Sequence, residues 1–295
     1  MTKGIITIAT GDIHYYRIAA NLLLSYRTFA DAPLPFAIIA EEENEYTALF
    51  DKVIITEEAK RSFLDKFLLL KLCPFEENIF FDADSLAYGN LNEYWKLFEG
   101  ATDFSALGQN FDLSDNNGAW YDLSGIGEYA NTIKYKSRVH AGIMFIRRSN
   151  NVLKMYDDCI RLYESFDSLT FHSYPASVDE CILGLAMPLN NMKAIEEKSD
   201  MIAAYPCLTK LKADLYKPQL EYSAPWHDYM NSGLLLHWVT NQTKQPLYKF
   251  NTSGLYYFNK HGHTLLGSLL FNCRLKLCLY NMGFWLKKAY NKIGI

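Results

Sequence analysis

Several things are missing from this chain of 295 residues. Its six cysteines (Cys73, Cys159, Cys181, Cys207, Cys273 and Cys278) form no C-x-x-C pair. Most sit in apolar or helical surroundings, so they read as buried free thiols. Low-complexity tracts and internal repeats are absent, which excludes a linker or a disordered tail. No glycine-rich dinucleotide fingerprint follows a strand. The one G-x-G-x-x-A match, Gly125-Ile126-Gly127 to Ala130, lies in a polar stretch, so a nicotinamide or flavin reading is weak. The N-terminus enters a strand almost at once and lacks a signal peptide's longer apolar run and cleavage site, so a cytoplasmic protein is expected. From Lys260 onward there is no acidic residue against six basic ones. The preceding part therefore carries about −10 of an overall −4. That balance argues against nucleic acid as partner of the main body and for an anionic surface as partner of the tail.

What is present is a folded enzyme-sized chain, 49% apolar and 15% aromatic. It is long enough for one catalytic domain with a small appendage. The organising stretch is Ile79-Phe80-Phe81-Asp82-Ala83-Asp84-Ser85, an apolar run that ends in two carboxylates. Three bulky apolar residues in a row suit a strand buried on both faces. In extended backbone, residues i and i+2 face the same way, so Asp82 and Asp84 can converge at the carboxyl edge of a sheet. Two hard oxygen donors there suit Mg²⁺ or Mn²⁺ with a phosphorylated ligand. A solvated turn is the plain alternative. A calcium loop closing on Glu93 fails, because Leu86 and Ala87 replace an oxygen ligand and the turn glycine.

Around that stretch, β and α segments alternate. Gly4–Thr10 reads as a first buried strand, followed by Gly11-Asp12 and a helix whose core face carries Tyr15, Ile18, Ala19, Leu22, Leu23 and Tyr26. Pro35–Ala40 and Val53–Thr56 read as strands and Arg61–Leu72 as a helix. His140-Ala141-Gly142 opens another buried strand through Ile146, with a small pair that allows close approach of backbone or ligand. Helices begin near Asn150 and at Val178-Asp179-Glu180, where helix capping is the bland reading of the two acids. Leu234–Val239 is a late strand carrying His237, open between core residue and ligand. Residues 110–137 form a long polar stretch around Trp120 and Tyr121, readable as a substrate loop or as irregular surface. The whole implies an α/β fold with a doubly wound, mainly parallel sheet.

Five pieces in order resemble the GT-A glycosyltransferases, closest to the retaining family that includes glycogenin and bacterial lipopolysaccharide galactosyltransferases. They are ITIATGD with the following Tyr-Tyr, a lysine upstream of FFDADS, HAGIMFI, the VDE helix start and HWVTNQTK, over residues 4 to about 250. The chain departs from the family's pattern at His140, where Asn is common, and at Asn241 and Gln245 in the C-terminal motif. The resemblance implies a mixed, mainly parallel GT-A (Rossmann-like) sheet flanked by helices over residues 1–259. It implies a hexosyltransferase moving sugar, with retention, from a nucleotide-sugar, UDP-sugar favoured, to a glycan or glycolipid acceptor in cell-surface polysaccharide or lipopolysaccharide synthesis. Asp82, Asp84 and His237 would hold Mn²⁺ or Mg²⁺. Ala9, Thr10, Asp12, Tyr15 or Tyr16, Ala83, His140, Ala141, Gly142 and Lys244 would line the donor site with Lys66 and Asp82. Asp179, Glu180 and Lys66 would be the catalytic candidates. Two other readings stand beside it: a sugar-phosphate nucleotidyltransferase, whose Gly- and basic-rich N-terminal loop is lacking in ITIATGDIHYY, and a non-catalytic nucleotide-sugar-binding protein on the same fold.

Residues 260–295 form a basic, aromatic tail. Gly267, Arg274, Asn281 and Lys288 recur every seven residues as a polar stripe against Leu266, Leu270, Leu277, Phe284 and Trp285. No run reaches about 18 uncharged apolar residues, so a spanning helix is not expected. The tail reads as an interfacial amphipathic helix that places the protein on the inner face of the plasma membrane, or as a helix docked on the enzyme's own core.

Overall fold

Burial of Ile79, Phe80 and Phe81, each fully inaccessible, makes β4 (Glu77–Phe81) the centre of the main sheet. The computed structural model describes residues 1–115, 118–172, 178–196, 203–205, 207–224, 229–256 and 259. β4 pairs in parallel with β1 (Lys3–Ile8), and beyond it lie β2 (Phe36–Ala40) and β3 (Lys52–Ile55), also parallel. On its other side runs β7 (Lys136–Arg147), antiparallel to β4 and to β6 (Phe104–Phe111), whose outer neighbour is the short parallel strand β8 (Ile195–Glu196). The order β3-β2-β1-β4-β7-β6-β8 gives a seven-stranded mixed sheet in which β7 alone is reversed. This is the mixed, mainly parallel α/β sheet that the sequence implies, and the strand carrying His140-Ala141-Gly142 is the reversed one.

Alternation along each strand sends Ile6, Ile8, Ala37, Ile39, Phe80, Met144 and Ile146 into one apolar cluster. The helices α2 (Leu68–Leu72), α4 (Asn150–Glu164) and α5 (Val178–Leu189) cover that face through Leu69, Met155, Cys159, Ile182 and Leu185. The alternate residues Ile5, Phe36, Ile38, Ile79 and Phe81 are equally buried, so neither face of the sheet meets water. Aromatic rings cover part of that second face. Phe81 meets Tyr94, the first residue of the single-turn helix α3 (Tyr94–Leu97), edge-on at 5.4 Å, and Phe145 stacks on Phe98 at 5.7 Å. Ser149 caps α4 by accepting the Val152 N–H.

The chain divides into two compact units. The first comprises residues 1–20, 32–83 and 92–198, and holds the seven-stranded sheet. The second comprises residues 21–31, 84–91 and the chain from 199 on. In it β13 (Leu235–Trp238) lies between β5 (Ser85–Ala87), antiparallel, and β9 (Ala203–Tyr205), parallel. A separate antiparallel sheet joins β10 (Lys210–Asp214), β11 (Gln219–Ser223) and β12 (Asn231–Ser232). The helix α6 (Pro246–Thr252) starts on proline and packs Tyr248 against Trp238 at 5.4 Å. The helix α1 (Ile13–Phe29) has residues in both units.

Three local expectations are corrected. Tyr15 is 51% exposed and does not face the core; the buried ring is that of Tyr16, at 1%. Arg61–Leu72 is not one helix but a 3-10 turn, Phe63–Phe67, capped by Ser62 and followed by α2. Cys207 is exposed, whereas Cys73, Cys159 and Cys181 are buried free thiols. The basic tail, with Cys273 and Cys278, lies outside the described residues. Among the described residues no helix is long and apolar enough to cross a membrane.

Gly108 lies beside a register shift between Ala106 and Leu107, where β6 approaches β7 so closely that a Cβ would run into the Arg138 carbonyl. Backbone cannot swing aside as a side chain can. Gly108→Ala is therefore expected to cost about 1–3 kcal/mol of stability. Urea unfolding measures this, and an unchanged midpoint would show that the two strands can part there at no cost.

Candidate active site

β4 ends at Phe81, and main-chain bonds fix its exit from the sheet. The Phe81 carbonyl accepts the Thr7 hydroxyl at 2.8 Å, and the Asp82 N–H donates to the Gly142 carbonyl of β7 at 3.0 Å. The Asp82 carboxylate thus leaves the sheet at a defined place, where Lys66 Nζ meets its Oδ2 at 2.8 Å. The same ammonium reaches Asp179 Oδ2 at 3.0 Å. Three separate stretches supply this cluster: the 3-10 turn Phe63–Phe67, the end of β4 and the first turn of α5. The side chains of Lys66, Asp82 and Asp179 are 12%, 18% and 4% exposed, so the charges interact with little screening. Burial would push the lysine towards its neutral form, but the two carboxylates outweigh it and hold its pKa well above the ordinary 10.5. One ammonium against two carboxylates leaves a net negative charge, a setting that attracts a further cation.

Glu180, next to Asp179, turns to β7, where its Oε1 accepts the Ala141 N–H at 3.1 Å. His140 Nδ1 accepts the Gly142 N–H at 3.1 Å. Ala141 is buried, and its small side chain leaves the strand open to Glu180. The VDE helix start and the HAG strand are thereby brought together.

Ala83 and Asp84 form a turn between β4 and β5. Convergence of the two aspartates therefore comes from a turn and not from strand alternation, which corrects the reason expected from the sequence. The Trp238 N–H donates to the Asp84 carbonyl at 2.9 Å, and the register of β13 on β5 sets His237 opposite Ser85. As a result His237 Nε2 lies 2.9 Å from Asp84 Oδ1. Only Ala83 separates Asp82 from Asp84, so the chain itself carries Asp82 to this pair. Asp84 and His237 offer a carboxylate oxygen and an imidazole nitrogen 2.9 Å apart, and Asp82 stands two residues earlier in the chain. Two carboxylates and an imidazole form a donor set compatible with a divalent cation of the Mg²⁺ or Mn²⁺ kind.

At the carboxyl ends of β1, β2 and β3 a cavity of about 310 Å³ is lined by Gly11, Tyr16, Glu41, Glu42, Thr56, Glu57 and Arg61. Glu41 organises it, taking the Gly11 N–H on one oxygen and Arg61 Nε at 3.0 Å on the other. Gly11 has φ +82° and Arg61 φ +55°, the left-handed region that glycine enters freely and arginine does not. Asp65 holds Arg61 there: its buried carboxylate accepts the N–H groups of Lys60 and Arg61 at 2.6 and 3.0 Å and the Thr10 hydroxyl at 2.7 Å. Ala9 is buried and donates its N–H to the Ile39 carbonyl, and Asp12 caps α1 by accepting the His14 N–H at 2.7 Å. Burial raises the pKa of the Tyr16 phenol. Lys244 is exposed at the end of the 3-10 turn Thr240–Lys244. Sequence reasoning does not single out Glu41, Arg61 or Asp65. Nothing in the chain sets them apart from other surface charges, except that Asp65 directly precedes Lys66.

No family model matches the chain, and no curated protein matches it. Among solved structures it is similar to the glycosyltransferase GlyE of Streptococcus pneumoniae TIGR4, at 13% identity and a TM-score of 0.45 over 67% of this chain and 46% of that one. It is similar also to the bifunctional glycosyltransferase WbbM, at 12% identity and a TM-score of 0.46 over 69% of this chain and 40% of that one. The chain thus spans less than half the length of either. Likeness of this extent leaves the activity to be argued from the residues.

Lys66→Met would leave Asp82 and Asp179 facing each other without a counter-charge and is expected to cost about 3–5 kcal/mol at pH 7. Because the folded lysine is harder to deprotonate than the unfolded one, its contribution is fully present below pH 10.5 and is lost as pH rises towards the folded value. Urea melts at pH 7 and pH 11 test both points. A Lys66→Met variant that loses as much stability as the native chain over that interval would show that another group governs the alkaline fall.

Proposed function

We infer that the chain is a metal-dependent glycosyltransferase that moves a sugar from a nucleotide-diphosphate sugar to a hydroxyl of a glycan or glycolipid. The observation that carries the reading is the buried cluster at the end of the central strand, where Lys66 bridges Asp82 to Asp179, followed two residues along the chain by Asp84 with His237 at 2.9 Å. A uridine donor, retention of configuration and a role in cell-surface polysaccharide synthesis come from the sequence resemblance and complete the proposal.

In the reaction, the bond between the sugar's anomeric carbon and the diphosphate oxygen breaks, and the electron pair leaves with the phosphate. A new bond forms to the acceptor oxygen, whose proton is released. Asp82, Asp84 and His237 would hold a divalent ion, which when bound neutralises the diphosphate leaving group. Lys66 holds Asp82 and Asp179 in fixed orientation, so neither carboxylate needs to reorganise as charge develops. Asp179 or Glu180 supplies the negative charge that a cationic sugar centre needs. The cavity on Gly11, Tyr16 and Glu41 would take the nucleoside, at the sheet edge where open α/β folds bind ligands. The exposed Lys244 would reach the diphosphate. The catalytic domain would be residues 1–259, with the tail of 260–295 laid on an anionic membrane surface.

Asp84→Asn removes one charge from the proposed ligand set and leaves the turn intact. It is expected to weaken Mn²⁺-dependent binding of UDP or a UDP-sugar by at least about tenfold without lowering the unfolding midpoint of the free protein. A thermal-shift panel of nucleotides and nucleotide sugars, with Mn²⁺ and with chelator, reads both. Equal shifts in the native and Asp84→Asn proteins would sink the ligand assignment. No shift with any nucleotide would remove the transferase reading itself.

A further inference from the structure

Lys136 opens β7 opposite Phe111 and is 1% exposed, yet among the described residues no carboxylate pairs with it. Its one hydrogen-bond partner among them is the carbonyl of Asp115. An ammonium has three N–H donors and a full charge, and a single neutral acceptor compensates neither. A purely structural tie to the Asp115 carbonyl would need one neutral donor and no charge. The lysine also lines a cavity of about 420 Å³ with Leu113, Asp122, Leu123 and Ser124. Leu113 and Leu123 are its apolar lining residues, beside the polar Asp122 and Ser124. The one carboxylate in the lining, Asp122, is engaged at 2.8 Å by His172 Nε2.

We propose that this cavity is a binding site for the carboxylate or phosphate group of a small polar ligand, with Lys136 as its counter-charge. The site is separate from the cluster of Lys66, Asp82 and Asp179. Lys136 stands five residues before Ala141 on the same strand, about 16 Å away at the usual strand rise. It does not depend on the transferase reading. It gives the polar stretch between β6 and β7, carrying Trp120 and Tyr121, a ligand-binding role over that of irregular surface. The anion would take the remaining ammonium N–H groups, and the Ser124 hydroxyl lies in the lining to donate a further bond. Asp122 sets the selectivity: it repels a second negative charge and so favours a ligand with one compact anionic group.

The test is the unfolding midpoint of the full chain titrated with inorganic phosphate and with sodium glucuronate, against sodium chloride at matched ionic strength. A ligand that binds only the native state raises the midpoint in a saturable way. The expected result is a saturable rise with phosphate, glucuronate or both, kept in Lys136→Arg and lost in Lys136→Met. Ser124 is exposed, so Ser124→Glu should fold whatever Lys136→Met does. Its carboxylate is expected to occupy the seat and abolish the rise. Asp122→Asn is expected to shift the titration to lower anion concentration. The proposal is overturned if the native chain responds no more to either anion than to chloride, or if Ser124→Glu responds as the native chain does. A better response to phosphate or to glucuronate would tell which anion the seat was built for.

Discussion

One buried ammonium holds the site together. Lys66 stands where a 3-10 turn, the end of the central strand and the start of α5 meet, and its two ion pairs are 2.8 and 3.0 Å long. Without that charge, Asp82 and Asp179 would repel each other in a setting with little solvent to screen them. With it, the two carboxylates become fixed points, and the segments that bear them are tied by charge as well as by packing. The interaction is worth little as a stabiliser compared with an apolar core of the same volume. Its value lies in orientation. A carboxylate whose direction is set before a ligand arrives needs no reorganisation when charge develops near it.

Charge acts in the same way in the turn around Arg61. Asp65 is almost fully buried and takes three hydrogen bonds from Thr10, Lys60 and Arg61. A carboxylate so satisfied can hold a non-glycine residue in left-handed backbone, and Arg61 is thereby presented to Glu41 across the cavity at the ends of β1, β2 and β3. Asp65 and Lys66 are neighbours in the chain yet serve different parts of the sheet edge. Lys136 differs from both, because its burial comes with no carboxylate among the described residues to offset it.

Much of this architecture is legible in the sequence. The runs Gly4–Thr10, Pro35–Ala40 and Ile79–Phe81 are apolar without alternation, and a strand buried on both faces has no other pattern available. The burial of Gly4–Ile8, Phe36–Ala40 and Ile79–Phe81 in β1, β2 and β4 follows from that local pattern. The helix starts at Asn150 and Val178 carry ordinary local signals. Tyr15 is harder, because helical periodicity has no means of choosing between adjacent tyrosines, and the core takes Tyr16. The convergence of Asp82 and Asp84 is expected from the sequence on the wrong grounds, since a turn of two residues looks the same there as an extended pair.

From the sequence by itself, the strands that became β1, β2, β3, β4, β7 and β13, and the acidic pair after β4, are legible locally, because they depend on hydrophobic pattern and on residues close together in the chain. β6 (Phe104–Phe111), whose end lies in the polar stretch, and the short strands β5 and β8 to β12 carry no such pattern and are not. Tertiary structure alone decided which charges meet. Lys66 and Asp179 are separated by more than a hundred residues and His237 and Asp84 by more still, and no periodicity links them. Their pairing depends on strand order, on the reversal of β7 and on the register of β13 against β5. Those are properties of the packed chain, set by how whole faces exclude water together, and a carboxylate or an ammonium carries no local mark of the partner it will find.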